Sequence, residues 1–379
     1  IRKDGYLYID KTALIYQLVK TGSYYFLSRP RRFGKSLLLS TLEAYFQGKK
    51  ELFEGLAMEK LEKEWTKHPI LHFDLNISHY DAPDSLYKIL NDTLSRYEEE
   101  YGTRPTEETL PLRFAGIIDR AYRKTGQRAV ILIDEYDKPL LQNLHDEEMQ
   151  NRFRNMLKPF YGVLKTMDRA IRFALLTGVT KFGKVSVFSD LNNLDDISMR
   201  EPYAAICGIT ETELRTHFDE DIHTLASALE RTYEEARSLL RKRYDGYHFV
   251  AGGPGIYNPF SLLNTFKYMR LSDYWFETDA DVLNSIDSAS NNPIPVIYQS
   301  GYLTIKDYEP EFKIYRLGFP NQEVEEGFMK YLLPFYTNIQ ASKSPFEIGR
   351  FVREVRAGDY DAFFHRLQGF FADTSYEAI

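Results

Sequence analysis

The sequence predicts an α/β fold built on a parallel sheet, and three observations predict it. Short apolar runs alternate with helical patterns through the first half of the chain, the grammar of strands joined by crossover helices. One run, Ala129 to Ile133, is apolar at every position, as a strand covered on both faces must be. The run Tyr24-Tyr25-Phe26-Leu27 passes through a basic, glycine-bearing turn straight into a helical pattern, and that strand–loop–helix context suits a phosphate-binding loop.

The elements follow in order. Tyr24 to Leu27 is the first strand, and Lys35 to Phe46 is a helix with Leu38, Leu42, Tyr45 and Phe46 on one face. Ile70 to Leu75 is a second strand, and Ser85 to Tyr101 and Leu110 to Lys124 are helices. Ala129 to Ile133 is the third strand. Glu147 to Lys165 carries Met149, Phe153, Leu157, Phe160 and Leu164 on one stripe, with a bend expected at Pro159. Ile171 to Leu176 is the fourth strand.

After about residue 205 the pattern turns helical. Thr210 with Glu213 forms a capping-box start, and Ala226 to Tyr244 reads as one long charged helix. Gly252 to Gly255 is a loop; Asn258-Pro259 opens a helix with Leu262, Leu263, Phe266 and Met269 inward. Two further helices are expected before a pair of short strands, Tyr302 to Asp307 and Lys313 to Leu317, joined by a Pro-containing turn. A helix from Glu323 to Leu333 follows, and helices followed by a hairpin suggest a winged-helix-like unit.

Composition bounds the function. The 379 residues are 43% hydrophobic and 27% charged, which places the chain among globular proteins of two to three domains. The single cysteine, Cys207, excludes a disulfide framework and a multi-cysteine zinc site within one chain. The net charge of −7 gives no support for non-specific coating of nucleic acid. Yet residues 1–50 hold 10 basic and 3 acidic side chains, so positive charge gathers around the basic turn. The opening IRKDGYLYID has no apolar signal region, and no stretch reaches 18 uncharged apolar residues. A cytoplasmic location with no membrane span is expected. The chain also reads as a fragment trimmed at both ends.

The turn Ser28 to Ser36, SRPRRFGKS, is the most informative segment. Gly34 lets the backbone approach a phosphate, and the helix that follows offers free N–H groups and a positive dipole end. Lys35 would reach the β- and γ-phosphates, and the Ser36 hydroxyl would bind Mg²⁺. The common pattern GxxxxGK followed by Ser or Thr has its first glycine replaced by Arg29. An ordinary basic strand–helix turn carries the same GKS tripeptide, so the loop needs a second piece. That piece is Val130 to Glu135, an apolar strand ending in two acids. Asp134 would hold Mg²⁺ directly or through water, and Glu135 would orient or deprotonate the attacking water. The two pieces meet if a further strand inserts between theirs in space, as in ATPases with a catalytic glutamate. The fourth strand ends in Thr177-Gly178-Val179-Thr180-Lys181. Ligands bind at strand carboxyl ends in open sheets, so Thr177 could sense the γ-phosphate or position water, with Lys181 as a further candidate; a plain turn is the alternative.

Five ordered segments, SRPRRFGKS, ILIDEYDKPL, LLTGVTKFGKVSVFSDLNNL, RYDGYHF and IYNPFSLLN, resemble those of the bacterial AAA-ATPase-like domain family over residues 6 to 335. That family carries arginine where Arg29 stands. The resemblance implies a P-loop NTPase core of the ASCE, AAA-like type with a helical lid and a winged helix, similar to STAND-type and archaeal ATPases. It implies ATP or ADP with Mg²⁺, bound by Arg29, Pro30, Arg31, Arg32, Phe33, Gly34, Lys35, Ser36 and Leu37. It also places Tyr8, Ile9, Asp10 and Lys11 beside the adenine. The domains expected are a core over 1–209, a lid over 210–275, a winged-helix-like unit over 276–340, and over 341–379 the start of a PD-(D/E)xK nuclease-like domain. The nuclease residues themselves are expected beyond Ile379.

Other candidates are weaker. Asp307 with Glu311-Phe312-Lys313 imitates a nuclease motif on what reads as a solvated wing. Asp245-Gly246-Tyr247-His248 serves either a turn or a nucleotide contact. His68 and His72 are separated by Pro69, which breaks any helix that would align them. The pairs Phe363-Phe364 and Phe370-Phe371 read as core. An arginine finger could come from a homo-oligomer partner or from a lid residue such as Arg243. Three readings follow: an ATPase, a nucleotide switch with little turnover passing a change to a protein or DNA partner, and a nucleotide-binding scaffold for a DNA-binding winged helix.

Overall fold

The computed structural model describes residues 1–144, 146–180, 193–275 and 294–336, together with 350, 353, 354, 359 and 362. Lys181, residues 276–293 within the stretch where two helices are expected before the strand pair, nearly all of 337–379 and the four phenylalanines near the end lie outside the described residues.

Five parallel strands form the central sheet: β1 (Tyr24–Ser28), β2 (Ile70–Asp74), β3 (Ala129–Asp134), β4 (Ile171–Gly178) and the two-residue β5 (Asp195–Asp196). Their order is β2-β3-β4-β1-β5. β3, apolar throughout in sequence until its final acid, is buried at every position between β2 and β4. β4 lies between β1 and β3, so the strand following the acidic pair is the one inserted beside the basic loop.

Alternate strand residues feed opposite faces, as the two-residue period requires. Tyr25, Leu27, Val130, Leu132, Phe173 and Leu175 share one core with Leu38, Leu39 and Leu42 of helix α2 (Lys35–Phe46). Phe26, Phe73, Ile131, Ile133 and Leu176 share the other core with three helices: α4 (Ser85–Tyr101), α5 (Leu110–Thr125) and α7 (Glu147–Thr166). The short helices α3 (Ala57–Leu61) and α6 (Lys138–Leu141) and the N-terminal α1 (Thr12–Thr21) complete this half. α7 continues through Pro159 without interruption. The result is an α/β sheet covered on both sides.

The second half begins at β6 (Ile209–Thr210), which pairs antiparallel with β7 (Ile256–Tyr257). Four helices pack on their own core of Leu214, Ile222, Leu225, Leu240, Leu262 and Phe266: α8 (Glu211–His217), α9 (Asp219–Ala228), α10 (Tyr233–Tyr244) and α11 (Pro259–Tyr268). The single helix expected over Ala226 to Tyr244 is divided. Glu230 adopts a left-handed φ of 52°, and Thr232 caps a new helix reciprocally with Glu235. Leu263, expected inward, is 50% exposed. α12 (Ile294–Gln299), the hairpin β8 (Thr304–Glu309) and β9 (Ile314–Gly318), and α13 (Gln322–Tyr336) close the described chain.

Candidate functional site

Register brings the carboxyl ends of three strands to one edge. Leu27 lies beside Thr177, and Ile133 lies beside Leu176. The loop leaving β1, the acids ending β3 and Thr177 on β4 therefore meet, although they come from distant parts of the sequence. Ser36 Oγ donates to Asp134 Oδ2 at 2.5 Å, and Thr177 Oγ1 donates to Asp134 Oδ1 at 2.6 Å. Both carboxylate oxygens of Asp134 thus accept hydroxyl protons, and the group is held 4% exposed. Thr177 is wholly buried and touches Asp134, which makes it a positioning group for that acid.

Lys35, 3% exposed, points back into the loop. Its Nζ donates to the carbonyls of Arg29 at 3.0 Å and Pro30 at 3.2 Å and lies 3.1 Å from Glu135 Oε1. Burial pushes the Glu135 carboxyl above its ordinary range; the Lys35 ammonium opposes that shift, and the charges of Asp137 and Asp134 add to it. Glu135 also holds a left-handed φ of 52°, a conformation non-glycine residues adopt only where surrounding structure imposes it.

The loop itself is shaped by two more left-handed residues, Arg32 at 65° and Gly34 at 93°. Gly34 is the N-cap of α2, so the first helical N–H groups stay available to an anion. Two of the loop's arginines, Arg29 and Arg32, have different surroundings. Arg29 is 1% exposed, and its guanidinium donates to the carbonyls of Ser28, Ser198 and Tyr203 while stacking on Phe249 at 3.9 Å. Burial pulls it down to about 10, still cationic at neutral pH. The side chain expected to meet a phosphate instead fastens the loop to the chain near residue 200. Arg32 lies over the Phe260 ring at 3.9 Å. Phe33 is fully buried against Tyr247 and Phe249 in edge-to-face contacts.

An apolar cavity of about 400 Å³ adjoins Gly34 and Leu37. Tyr8, Ile9, Phe33, Cys207, Phe218 and Leu263 line it, and apolar walls of this kind suit a heteroaromatic ring. The four residues expected beside the base divide. Tyr8 and Ile9 wall the cavity, with Tyr8 Oη 3.1 Å from Thr41 Oγ1. Asp10 instead accepts from the Thr12 hydroxyl and amide and from the Ala57 amide. Lys11 reaches the cavity and donates at 2.6 Å to both oxygens of Glu213 on α8. This pair joins the N-terminal segment to the helix that Glu213 itself caps.

Sequence reasoning missed Asp137. It is fully buried and accepts from the Val179 and Thr180 amides and the Thr180 hydroxyl. Its neighbour Tyr136 donates its hydroxyl to the Thr180 carbonyl. These bonds fix the turn after Thr177. Gly178 is required there, because a Cβ would lie 2.5 Å from both Asp137 and Tyr136. The motif's third acid was visible, but its partner lies more than forty residues on, beyond any local pattern.

The Asp245–His248 motif is a structural junction. Gly246 has φ 94°, and a Cβ on it would lie 2.2 Å from the Pro320 carbonyl oxygen. Tyr247 packs under Phe33, and the His248 amide donates to Thr304. Arg243 is held by Asp273 and by Glu326 at 3.3 Å, so within this chain its guanidinium is committed away from the loop. His68 bonds the Arg128 carbonyl and His72 bonds Glu43, each at its own place.

A family model described as Predicted AAA-ATPase matches residues 1–188. An uncharacterized protein in the vnfD 5′ region of Azotobacter chroococcum mcd 1 is 34% identical over 405 residues, which span 99% of this chain and 75% of that protein. Among the described residues no helix is long and apolar enough to cross a membrane.

Proposed function

Because the chain belongs to the predicted AAA-ATPase family, we propose that it binds ATP with Mg²⁺, hydrolyses it to ADP and phosphate, and uses the bound state as a switch for its C-terminal part. The observation that carries this reading is the meeting of Lys35, Ser36, Asp134, Glu135 and Thr177 at one edge of three adjacent strands. Lys35 and the N-terminus of α2 would face the β- and γ-phosphates, and the apolar cavity beside Gly34 would take the adenine. Ser36 and Asp134 present two hard oxygens 2.5 Å apart, a donor set that fits Mg²⁺. When bound, the ion would neutralise phosphate charge. Glu135, raised by burial, is suited to accept a proton from a water aimed at the γ-phosphate. Thr177 holds the Asp134 carboxylate in place. The nuclease-like domain expected from residue 341 onward is the proposed receiver of the switch, and a homo-oligomer could supply the arginine finger that Arg243 does not.

A second reading is a non-hydrolysing scaffold with a DNA-binding winged helix. It is favoured by the β8–β9 hairpin, which exposes Phe312, Tyr315 and Arg316. DNA affinity that weakens with salt and does not depend on Lys35 would support it.

The test is to denature the purified protein, identify the released nucleotide by ion-exchange chromatography, and then follow phosphate release from added Mg·ATP. An adenine nucleotide with measurable phosphate release is expected. Retained nucleotide without phosphate release supports a non-hydrolysing switch or scaffold. A protein that binds no nucleotide at millimolar Mg·ATP contradicts the reading.

A further inference from the structure

Besides local bonds from Lys35, the loop Arg29–Phe33 is held by residues more than 160 positions away. One contact stands apart because it fixes the loop's backbone. Trp275 is fully buried, and its indole Nε1–H donates to the Arg31 carbonyl at 3.2 Å. In a trans peptide the carbonyl and the following N–H point in opposite directions. Holding the Arg31 oxygen therefore turns the Arg32 N–H to the side away from Trp275. Arg32 is the residue with left-handed φ, so the contact acts at the strained peptide, where outside support is needed to keep the shape.

Trp275 is itself fixed from behind. Its backbone N–H donates to Glu323 Oε1 at 2.8 Å. Glu323 sits in the first turn of α13, fully buried, and its two oxygens also meet Ser261 Oγ at 2.9 and 2.8 Å. Ser261 belongs to the first turn of α11, capped by Asn258. The Trp275 ring packs on Tyr302, 5.4 Å between centroids. Gly301 lets the neighbouring chain approach the loop closely: at φ 94°, a Cβ there would lie 2.7 Å from Pro30.

We propose that Trp275 is a positioning residue for the phosphate loop, holding the Arg31–Arg32 peptide in its binding shape and tying that shape, through Glu323, to helix α13. The inference rests on the nucleotide-binding reading above. It makes loop geometry depend on the chain that leads to the C-terminus, and by reciprocity makes Trp275 sense what occupies the loop.

The two tryptophans, Trp65 and Trp275, make the test direct. In a Trp65→Phe protein the emission comes from Trp275 alone. It should change on adding Mg·ATP, saturate at the calorimetric affinity, and need about 10- to 100-fold more Mg·ATP when Lys35→Ala is added. Separately, Trp275→Phe keeps an aromatic ring, smaller than the indole, and removes the N–H. Its Mg·ATP affinity should fall about 2- to 10-fold, the worth of one neutral hydrogen bond, with a thermal midpoint within a few degrees of wild type. Wild type that binds Mg·ATP through Lys35 while Trp275 emission is silent overturns the inference and leaves the nucleotide reading standing. Unchanged affinity in a folded Trp275→Phe protein does the same. Wild type that binds no nucleotide overturns both. If Trp275→Phe does not fold, the emission experiment decides alone.

Discussion

Two places in this chain carry acids and a lysine in an arrangement that reads as metal-and-phosphate chemistry. At the sheet edge they are Lys35, Asp134 and Glu135; on the β8–β9 hairpin they are Asp307, Glu311 and Lys313. The surroundings separate them. Asp134 is 4% exposed and both of its oxygens accept hydroxyl protons. Asp307 has a side chain 66% exposed and a loose pairing with Arg316 at 3.5 Å, and Lys313 sits in the turn with a left-handed φ of 55°. Letters at a plausible spacing are common. Chemistry needs them desolvated and aimed at one point, because charges in water are screened and their side chains move.

The comparison can be broken or sharpened by mutation. The largest effect belongs to the buried side. Glu135→Gln should retain Mg·ATP and lose phosphate release by about 10²- to 10⁴-fold, the usual contribution of a positioned general base. Phosphate release within a few-fold of wild type would remove Glu135 from its proposed role.

A smaller effect concerns the price of burying acids. Burial pushes Glu323 from 4.5 up to about 8, although its bonds to the Trp275 amide and the Ser261 hydroxyl oppose the shift. Between those two pH values the folded chain holds a proton that the unfolded chain has released. This contribution is full at acid pH and is lost as pH rises toward 8, by at most about 1.4 kcal/mol per pH unit. Glu323→Gln mimics the protonated acid, donating to Ser261 and accepting from Trp275. Relative to wild type, its thermal midpoint should rise progressively from pH 5 to pH 8 and then level off. A constant difference across that range would mean Glu323 is ionised throughout.

The smallest effect belongs to the exposed side. Asp307→Ala should change stability by less than about 0.5 kcal/mol and leave nucleotide affinity and phosphate release unaltered, checked by thermal melts and the same turnover assay. A loss of activity there would erase the distinction between the two places.

The contrast also explains what was legible in the sequence. Periodicity located the strands and helices of the core because burial on two faces leaves a local imprint: β3 is apolar until its last residue, and α2 begins and ends at the residues its pattern predicts. The basic loop and the acidic strand end were legible for the same reason, since each is a short continuous segment. The division of the helix expected over Ala226 to Tyr244 was readable too, in Thr232 and Glu235, but the charged pattern on either side masked it. What could not be read is whatever depends on long separations. Lys11 meets Glu213 across 202 positions, and Trp275 meets Arg31 across 244. Arg29 looked like a phosphate ligand because its partners are backbone carbonyls near residue 200, and carbonyls leave no trace in the amino-acid letters.

The central claim is that the loop around Lys35 is a nucleotide site. Isothermal titration calorimetry of Mg·ATP into wild type and Lys35→Ala tests it most directly. Removing a buried ammonium proposed to meet phosphate should cost about 10- to 100-fold in affinity, as charged hydrogen bonds do, in a protein that melts like wild type. Equal affinity in the two proteins would contradict the account.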